Sequence, residues 1–374
     1  MTKRNCLSRR IFLGGGIGVA GLASNLLALS ADPKGAYASS AISNMSAITD
    51  MPSNASSIAA SFAGLPFMGA IDPKVNGFDP MEMLTVFDVG KVSKLPSGQT
   101  LREYTFTAIN KTILVAPGKP FAALAYNGLV PGPTLRATQG DHIRITFINK
   151  SDTAHSMHFT GIHAGSVDGL IESVAPGMQM VYEFDAQPFG LHLYQGFTMP
   201  LATHMFKGLY GTFIVDPPQP RPQAFELFMT LNGFVLASDG QNAKPGSSSA
   251  TSSIKLSQGA NNGPDSNDVY AVNTVAYHFI KNPIAIAVNK LVRVYLVNVT
   301  EFDSLNSFHV HGTLLNIYRS GTSLQPNEVN NTIMLAPGQR AILEFSFKTA
   351  GQYIFHAYQG EYADLGYMGI FNVK

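Results

Sequence analysis

Cysteine is almost absent from this sequence. The 374 residues contain one, Cys6, and it lies in an N-terminal segment that has the features of a cleaved export signal. Once that segment is removed, the mature chain has no disulfide and no thiolate. Any chemistry that needs sulfur from cysteine is therefore excluded for the mature chain taken alone.

Charged side chains are also sparse. They make up 13% of the residues, the formal net charge is +1, and no basic run occurs. This excludes the charge pattern of a nucleic-acid-binding protein. Glycine and proline are abundant instead, at 35 and 22 residues, which favours a secreted, loop-rich β protein over a coiled coil or a disordered chain.

The N-terminus has the order of parts that export signals share. A basic start leads to a twin-arginine pattern at residues 8–13, a glycine-rich and weakly apolar stretch at 14–31, and a small-residue cleavage site at 36–38. The glycines and polar residues of the apolar stretch argue against a membrane helix. Residues 1–38 are therefore predicted to be a twin-arginine signal peptide. The mature chain should be periplasmic or extracellular, without a membrane span.

The rest of the chain indicates short strands and turns. Residues 39–98 predict a disordered start followed by an extended arm lying on the first domain. Beyond them, segments such as 142–148 alternate apolar and polar side chains with period two. Strands at this spacing, with no long helical pattern between them, predict an all-β fold of Greek-key sandwiches.

The strand pattern occurs twice. Residues 291–298 parallel 142–149, which predicts two tandem sandwiches of roughly 150 residues each, a common domain size. The predicted domains are 99–218 and 219–374, with a flexible Ser/Gly/Asn-rich insert at 238–267. Within the second domain, residues 284–288 are expected to pair with 291–298, and His278 is expected on a strand as a structural histidine.

Residues 192–213 carry the most specific motif of the chain. The segment resembles the copper-ligand loop of two-domain multicopper oxidases, which are related to copper nitrite reductases and small laccases. The matching frame residues are Tyr194, Pro200, Leu201, His204, Lys207, Gly208, Leu209, Tyr210 and Gly211. The resemblance implies two cupredoxin-like domains with an N-terminal arm, copper as cofactor and a homotrimeric assembly.

The mononuclear copper site of that family falls on His155, Gly196 and His204. Glycine replaces the cysteine ligand, and the axial position falls on Leu209, so a blue-copper site is not expected. Some relatives carry the cysteine in the second domain, where Ala357 stands here. Two alternatives stay open for the histidine pair: hydrogen bonding within a loop, or weak metal binding completed by His192 or His163.

The family's three-copper cluster uses four His-X-His pairs, and half of the ligands survive here. The retained positions are His158, His309, His311 and His356, and the substituted positions are Thr160, Gln195, Phe197 and Tyr358. Four imidazoles could hold one or two ions, or they could simply line a former cavity. Tyr358 is either an oxygen ligand or a hydrogen-bond donor. His309 and His311 alternate along a strand, so both rings should lie on one face.

These substitutions predict an exported, degenerate multicopper-oxidase-like protein with residual copper binding and no laccase-type turnover. One alternative is an active oxidoreductase with a non-blue copper centre of His158, His309, His311 and His356. The other is a metal-free binding or structural module. The substrate stays open, as does a protein partner that would supply the missing ligand.

Overall fold

The computed structural model describes residues 62, 64–162, 172–199, 201–236 and 267–374. These residues form two β-sandwich domains preceded by an arm. The predicted signal peptide, the predicted disordered start, His163 and nearly all of the insert at 238–267 lie outside the described residues. No helix within the described segments is long and apolar enough to cross a membrane.

The first domain packs one sheet of order β1-β2-β5-β7, with β3 paired to β2, beside a second sheet of order β4-β9-β8-β6. Alternate side chains of β5 are buried, as the period-two pattern predicts. Buried aromatic rings such as Phe106, Phe159 and Tyr194 fill the core. The strands are β1 (Lys91–Lys94), β2 (Thr100–Ala116), β3 (Lys119–Tyr126), β4 (Leu135–Thr138), β5 (His142–Asn149), β6 (Met157–Phe159), β7 (Gln179–Asp185), β8 (Gly190–Gly196) and β9 (Tyr210–Asp216).

The second domain has one sheet of order β11-β10-β13-β18-β15-β16 and another of order β12-β20-β19-β14-β17. Its strands are β10 (Phe225–Phe234), β11 (Val269–Val272), β12 (Ile284–Ile286), β13 (Val292–Asn298), β14 (Asn306–Val310), β15 (Leu315–Arg319), β16 (Glu328–Asn330), β17 (Thr332–Leu335), β18 (Arg340–Phe345), β19 (Gly351–His356) and β20 (Met368–Val373).

The two domains repeat one pairing scheme. Strand β2 runs parallel to β5, as β10 does to β13, and the next partners, β7 and β18, are antiparallel. In the facing sheets, β4 runs parallel to β9, as β12 does to β20. This scheme confirms the fold predicted from the sequence, two tandem cupredoxin-like sandwiches.

A buried asparagine marks the same point in each repeat. Asn149 ends β5 and Asn298 ends β13, and both side chains are fully buried. The Asn149 amide donates to the carbonyls of Thr153 and Val174, and the Asn298 amide donates to that of Leu335. Because these bonds replace water inside the protein, each asparagine fixes the loop that follows its strand.

The arm contacts both domains. It contains two short helices, α1 (Pro73–Asn76) and α2 (Pro80–Met83), each begun by an aspartate cap and a proline. The amide of Asn76 exchanges two hydrogen bonds with the Leu114 backbone in the first domain. Leu84 is buried in the core of the second domain. A further apolar cluster joins the domains, and it includes Phe121 and Phe206 from the first and Phe228 from the second.

Two expectations within the second domain are wrong. Residues 284–288 and 291–298 do not pair with each other, because β12 pairs with β20 while β13 pairs with β10 and β18. The turn between them, with Asn289 at a φ of 60°, carries the chain from one sheet to the facing sheet. His278 is also not on a strand: it begins helix α4 (His278–Lys281), because Tyr277 before it adopts a left-handed conformation.

Candidate metal centre

The first-domain histidine pair joins a loop and a helix: His155 lies two residues before β6 and bridges to Val174, and His204 lies on the helix α3 (Leu201–Lys207). His204 Nε2 lies 2.9 Å from His155 Nδ1, and the rings meet edge to face with centroids 5.0 Å apart. Both side chains are buried. Burial, together with the neighbouring His204, lowers the pKa of His155 to about 4. The His155 ring is therefore held neutral near pH 7, and the two rings are hydrogen-bonded through the nitrogens that face each other.

The position of the missing thiolate is already occupied. A Cβ atom placed on Gly196 would lie 3.0 Å from Cδ2 of His204 and 3.1 Å from its Cβ and Cγ. His204 therefore fills the space that a cysteine side chain would need. Leu209 and Ala357, at the other ligand positions implied by the resemblance, are both fully buried and apolar. No described residue supplies a thiolate, so the geometry here is that of a hydrogen-bonded pair.

His192 is also engaged elsewhere. Its Nε2 lies 2.9 Å from the Pro188 carbonyl oxygen and its Nδ1 3.3 Å from that of Thr160. Burial lowers its pKa to about 4, so the neutral ring donates to Pro188. Since both ring nitrogens face carbonyls, His192 is not oriented to complete a metal site with His155 and His204.

His158 and the substituted positions form a separate group in the first domain. His158 on β6 lies opposite Gln195 on β8, and its ring packs on Phe197 with centroids 4.8 Å apart. Thr160 follows β6, and its backbone N–H donates to the Leu193 carbonyl. An aromatic ring thus lies against His158 where the family has a ligand.

Three histidines of the second domain converge. His309 on β14 lies opposite His356 on β19, and His311 follows two residues after His309 on the same face. One ligand nitrogen from each of the three lies within 4.8 Å of the others, with His311 Nε2 only 3.0 Å from His356 Nε2. The ring centroids are 5.0–5.2 Å apart. This group is called the His triad below. It does not include His158.

Hydrogen bonds fix which nitrogen of each ring faces the centre. His309 Nδ1 lies 3.0 Å from the Asn331 carbonyl and 2.8 Å from the Thr332 hydroxyl. His356 Nδ1 lies 2.6 Å from the Ala357 carbonyl. Each Nδ1–H therefore donates outward, which leaves the Nε2 lone pair for a metal. His311 Nε2 lies 3.0 Å from His356 Nε2, and this contact needs one proton between the two nitrogens. His311 Nε2 carries that proton and donates it to His356 Nε2. A metal ion bound at the triad would take the place of this proton.

The electrostatics of the His triad suit a cation. Burial and the neighbouring imidazoles lower the pKa of His309 and of His311, so both rings are neutral near pH 7. His309 is half-buried and His311 is exposed, which gives an ion access from solvent. Neutral imidazoles are good ligands for copper, so the residues present fit one copper ion.

Sequence reasoning missed the residues that orient the triad. Thr332 and the Asn331 carbonyl lie on or beside β17, which pairs with β14 only in the folded sheet. Ser307 accepts a hydrogen bond from the backbone N–H of Tyr358 at 2.7 Å. No local motif marks these residues, because their role depends on strand pairing.

The fold and the site define a two-domain cupredoxin-like protein with three histidines placed so that they could hold a metal ion. Multicopper oxidase family models match residues 108–220 and 248–374. A solved structure described as a multicopper oxidase is 41% identical, covers 82% of this chain and all of its own, and gives a TM-score of 0.73. The chain belongs to the multicopper oxidase family.

Copper nitrite reductases are also similar to this chain. The copper-containing nitrite reductase of Neisseria meningitidis serogroup B is 25% identical over 250 residues, which are 66% of this chain and 61% of the reductase. The chain thus spans about three fifths (61%) of the length of that curated relative. The solved copper nitrite reductase from Nitrosomonas europaea is 22% identical, covers 73% of this chain and 94% of its own, and shares the fold at a TM-score of 0.59.

Proposed function

We propose that this protein is a degenerate multicopper-oxidase-like cupredoxin protein that binds one copper ion at the His triad and has no laccase-type turnover. The observation that carries the proposal is the convergence of three imidazole nitrogens within 4.8 Å on two paired strands. The twin-arginine pattern further supports export to the periplasm or beyond it.

In this function the chain's own residues hold and orient the ion. Nε2 of His309 and of His356 are presented by outward hydrogen bonds at Nδ1, and His311 supplies the exposed third nitrogen. A copper ion bound there would offer one-electron redox chemistry and an electrophilic centre. Rapid electron entry through a copper–thiolate bond is absent from the proposal, because the mature chain has no cysteine.

The first-domain pair has a structural role in this proposal. One ring nitrogen of His155 and one of His204 are hydrogen-bonded to each other inside the domain, and His204 packs closely against Gly196. The pair therefore stabilises the loop after β8 without a metal. This favours the hydrogen-bonding alternative over weak metal binding.

A second candidate function is an oxidoreductase with a non-blue centre that also uses His158. Within one chain His158 packs on Phe197 and is not part of the His triad. Its participation therefore requires a neighbouring copy, as in the homotrimer that the family resemblance implies. Copper-dependent oxidation of a phenol that is lost in both H158A and H309A would favour this candidate.

The test is a copper titration of the folded chain, with bound metal counted by elemental analysis after desalting. We expect one equivalent of copper in the parent, and loss of binding in H309A and in H356A. The control is H142A, because His142 pairs with Asp185 on the surface of the first domain. A parent that binds no copper would contradict the proposal and favour a metal-free module. Copper that survives in both triad variants would place the site elsewhere.

A further inference from the structure

Tyr358 occupies the position where the family has a cluster histidine, and the structure places it against the His triad. Its ring meets that of His309 edge to face with centroids 5.0 Å apart, and it lies 6.2 Å from that of His356. The side chain is 65% exposed. The phenol thus lies at the open, solvent-facing side of the triad, where the third nitrogen, that of His311, is also exposed.

The backbone of Tyr358 is held in place by a hydrogen bond, while its side chain is largely exposed. Its backbone N–H donates to the Ser307 hydroxyl at 2.7 Å, and Ser307 in turn donates to the side chain of Gln359. This anchors the residue beside β14, next to His309. The tyrosine backbone is therefore already ordered beside the triad. Binding of its phenol to a metal would cost only the conformational entropy of the side chain.

Two tyrosines near Tyr358 use their hydroxyl groups as hydrogen-bond donors. Tyr362 donates to Asp303 at 2.9 Å, and Tyr353 donates to the Thr349 carbonyl at 2.9 Å. Among the described residues, the Tyr358 hydroxyl has no hydrogen-bond partner. The exposed phenol of Tyr358 is thus available to a metal ion at the triad.

We propose that the phenol oxygen of Tyr358 is the fourth ligand of a copper ion held by His309, His311 and His356. This inference rests on the copper site proposed above. Three neutral imidazoles leave the charge of Cu(II) uncompensated, and Cu(II) favours four nitrogen and oxygen donors in a tetragonal arrangement. An oxygen–copper bond forms, the O–H bond breaks, and the proton leaves to solvent. The phenolate then lowers the net charge of the site.

Optical and resonance Raman spectra of the copper-loaded chain test this proposal. A phenolate bound to Cu(II) gives a visible charge-transfer band, and excitation in that band enhances the phenolate ring modes. We expect both signals in the parent and in Y353F, the control variant, because the Tyr353 hydroxyl on β19 already donates to the Thr349 carbonyl. In Y358F we expect one copper to remain, the band to vanish, and the affinity to fall by about tenfold or more, as for other groups that tune a metal site.

The outcomes separate the two proposals. Copper bound in the parent without a phenolate band, or a band that persists in Y358F, would overturn the role of Tyr358 and leave the triad site standing. A parent that binds no copper would overturn both. Loss of the band in Y358F, with the copper count unchanged, supports the tyrosine ligand.

Discussion

Placing a cysteine at position 196 tests whether Gly196, His155 and His204 stand at the mononuclear copper site that the resemblance implies. Gly196 does not adopt a left-handed conformation, so the backbone accepts a cysteine. Its Cβ would, however, lie 3.0–3.1 Å from three atoms of His204, and the ring must move by a few tenths of an ångström. Overpacking of this kind costs about 1–3 kcal/mol in the free energy of unfolding. The melting temperature should then fall by roughly 2–10 °C.

With the His204 ring shifted, the G196C variant has a set of metal ligands that the parent lacks. G196C brings a thiolate beside His155 and His204, and two imidazoles with one thiolate form a blue-copper site. We expect the reduced G196C variant to take up a second copper ion and to become blue. The assay is a copper titration followed by visible absorption and electron paramagnetic resonance, next to thermal unfolding of the metal-free protein.

Gly360 provides the matched control. A Cβ added there meets no atom within 4 Å, so G360C adds a thiol without crowding. It should unfold like the parent, bind one copper ion and show no blue-copper band beyond the spectrum of the copper-loaded parent. If G196C is as stable as the parent, His204 does not fill the thiolate position. If it loads a second copper without gaining a blue-copper band, the assignment of His155 and His204 to a mononuclear site is wrong.

Three further expectations follow from the same geometry. N149A and N298A each remove a buried hydrogen-bonding amide, and each should lower the free energy of unfolding by about 1–3 kcal/mol in urea titrations. N330A, at the exposed end of β16, should change it little, and equal effects would refute the role of the buried pair. Copper at a hundredfold excess over its dissociation constant should raise the free energy of unfolding of the parent by about 2.7 kcal/mol and leave that of H309A unchanged. Burial lowers the pKa of His192 to about 4, so between about pH 6.5 and 4 the unfolded chain binds a proton at this residue more readily than the folded chain does. The free energy of unfolding should therefore decrease as the pH is lowered through this range. H192Q should flatten that part of the pH profile of urea unfolding, and an unchanged profile would contradict the assignment.

Much of the fold is predictable from local pattern. The alternation along residues 142–148 predicts a strand with one buried face, and β5 has that burial. The internal repeat predicts two similar domains, because similar patterns fold into similar sandwiches. Pairing is less predictable: residues 284–288 and 291–298 are neighbours in sequence, but the turn between them sends them to different sheets. The local sequence pattern does not indicate whether the next strand joins the same sheet or the facing sheet.

For the site, the sequence by itself determined the inventory of ligands: a single cysteine, Cys6, far along the chain from these histidines, and histidines at 309, 311 and 356 in the positions that the resemblance assigns. Only the tertiary structure decided their use. Pairing of β14 with β19 places His356 opposite His309, and pairing of β14 with β17 places the Thr332 hydroxyl where it orients His309. His158 packs against Phe197 and is not part of the triad. The tertiary structure also turns His155 and His204 toward each other. The physical reason is that residue type sets which donor atoms exist, whereas distances between donors from distant segments are set by strand register and packing.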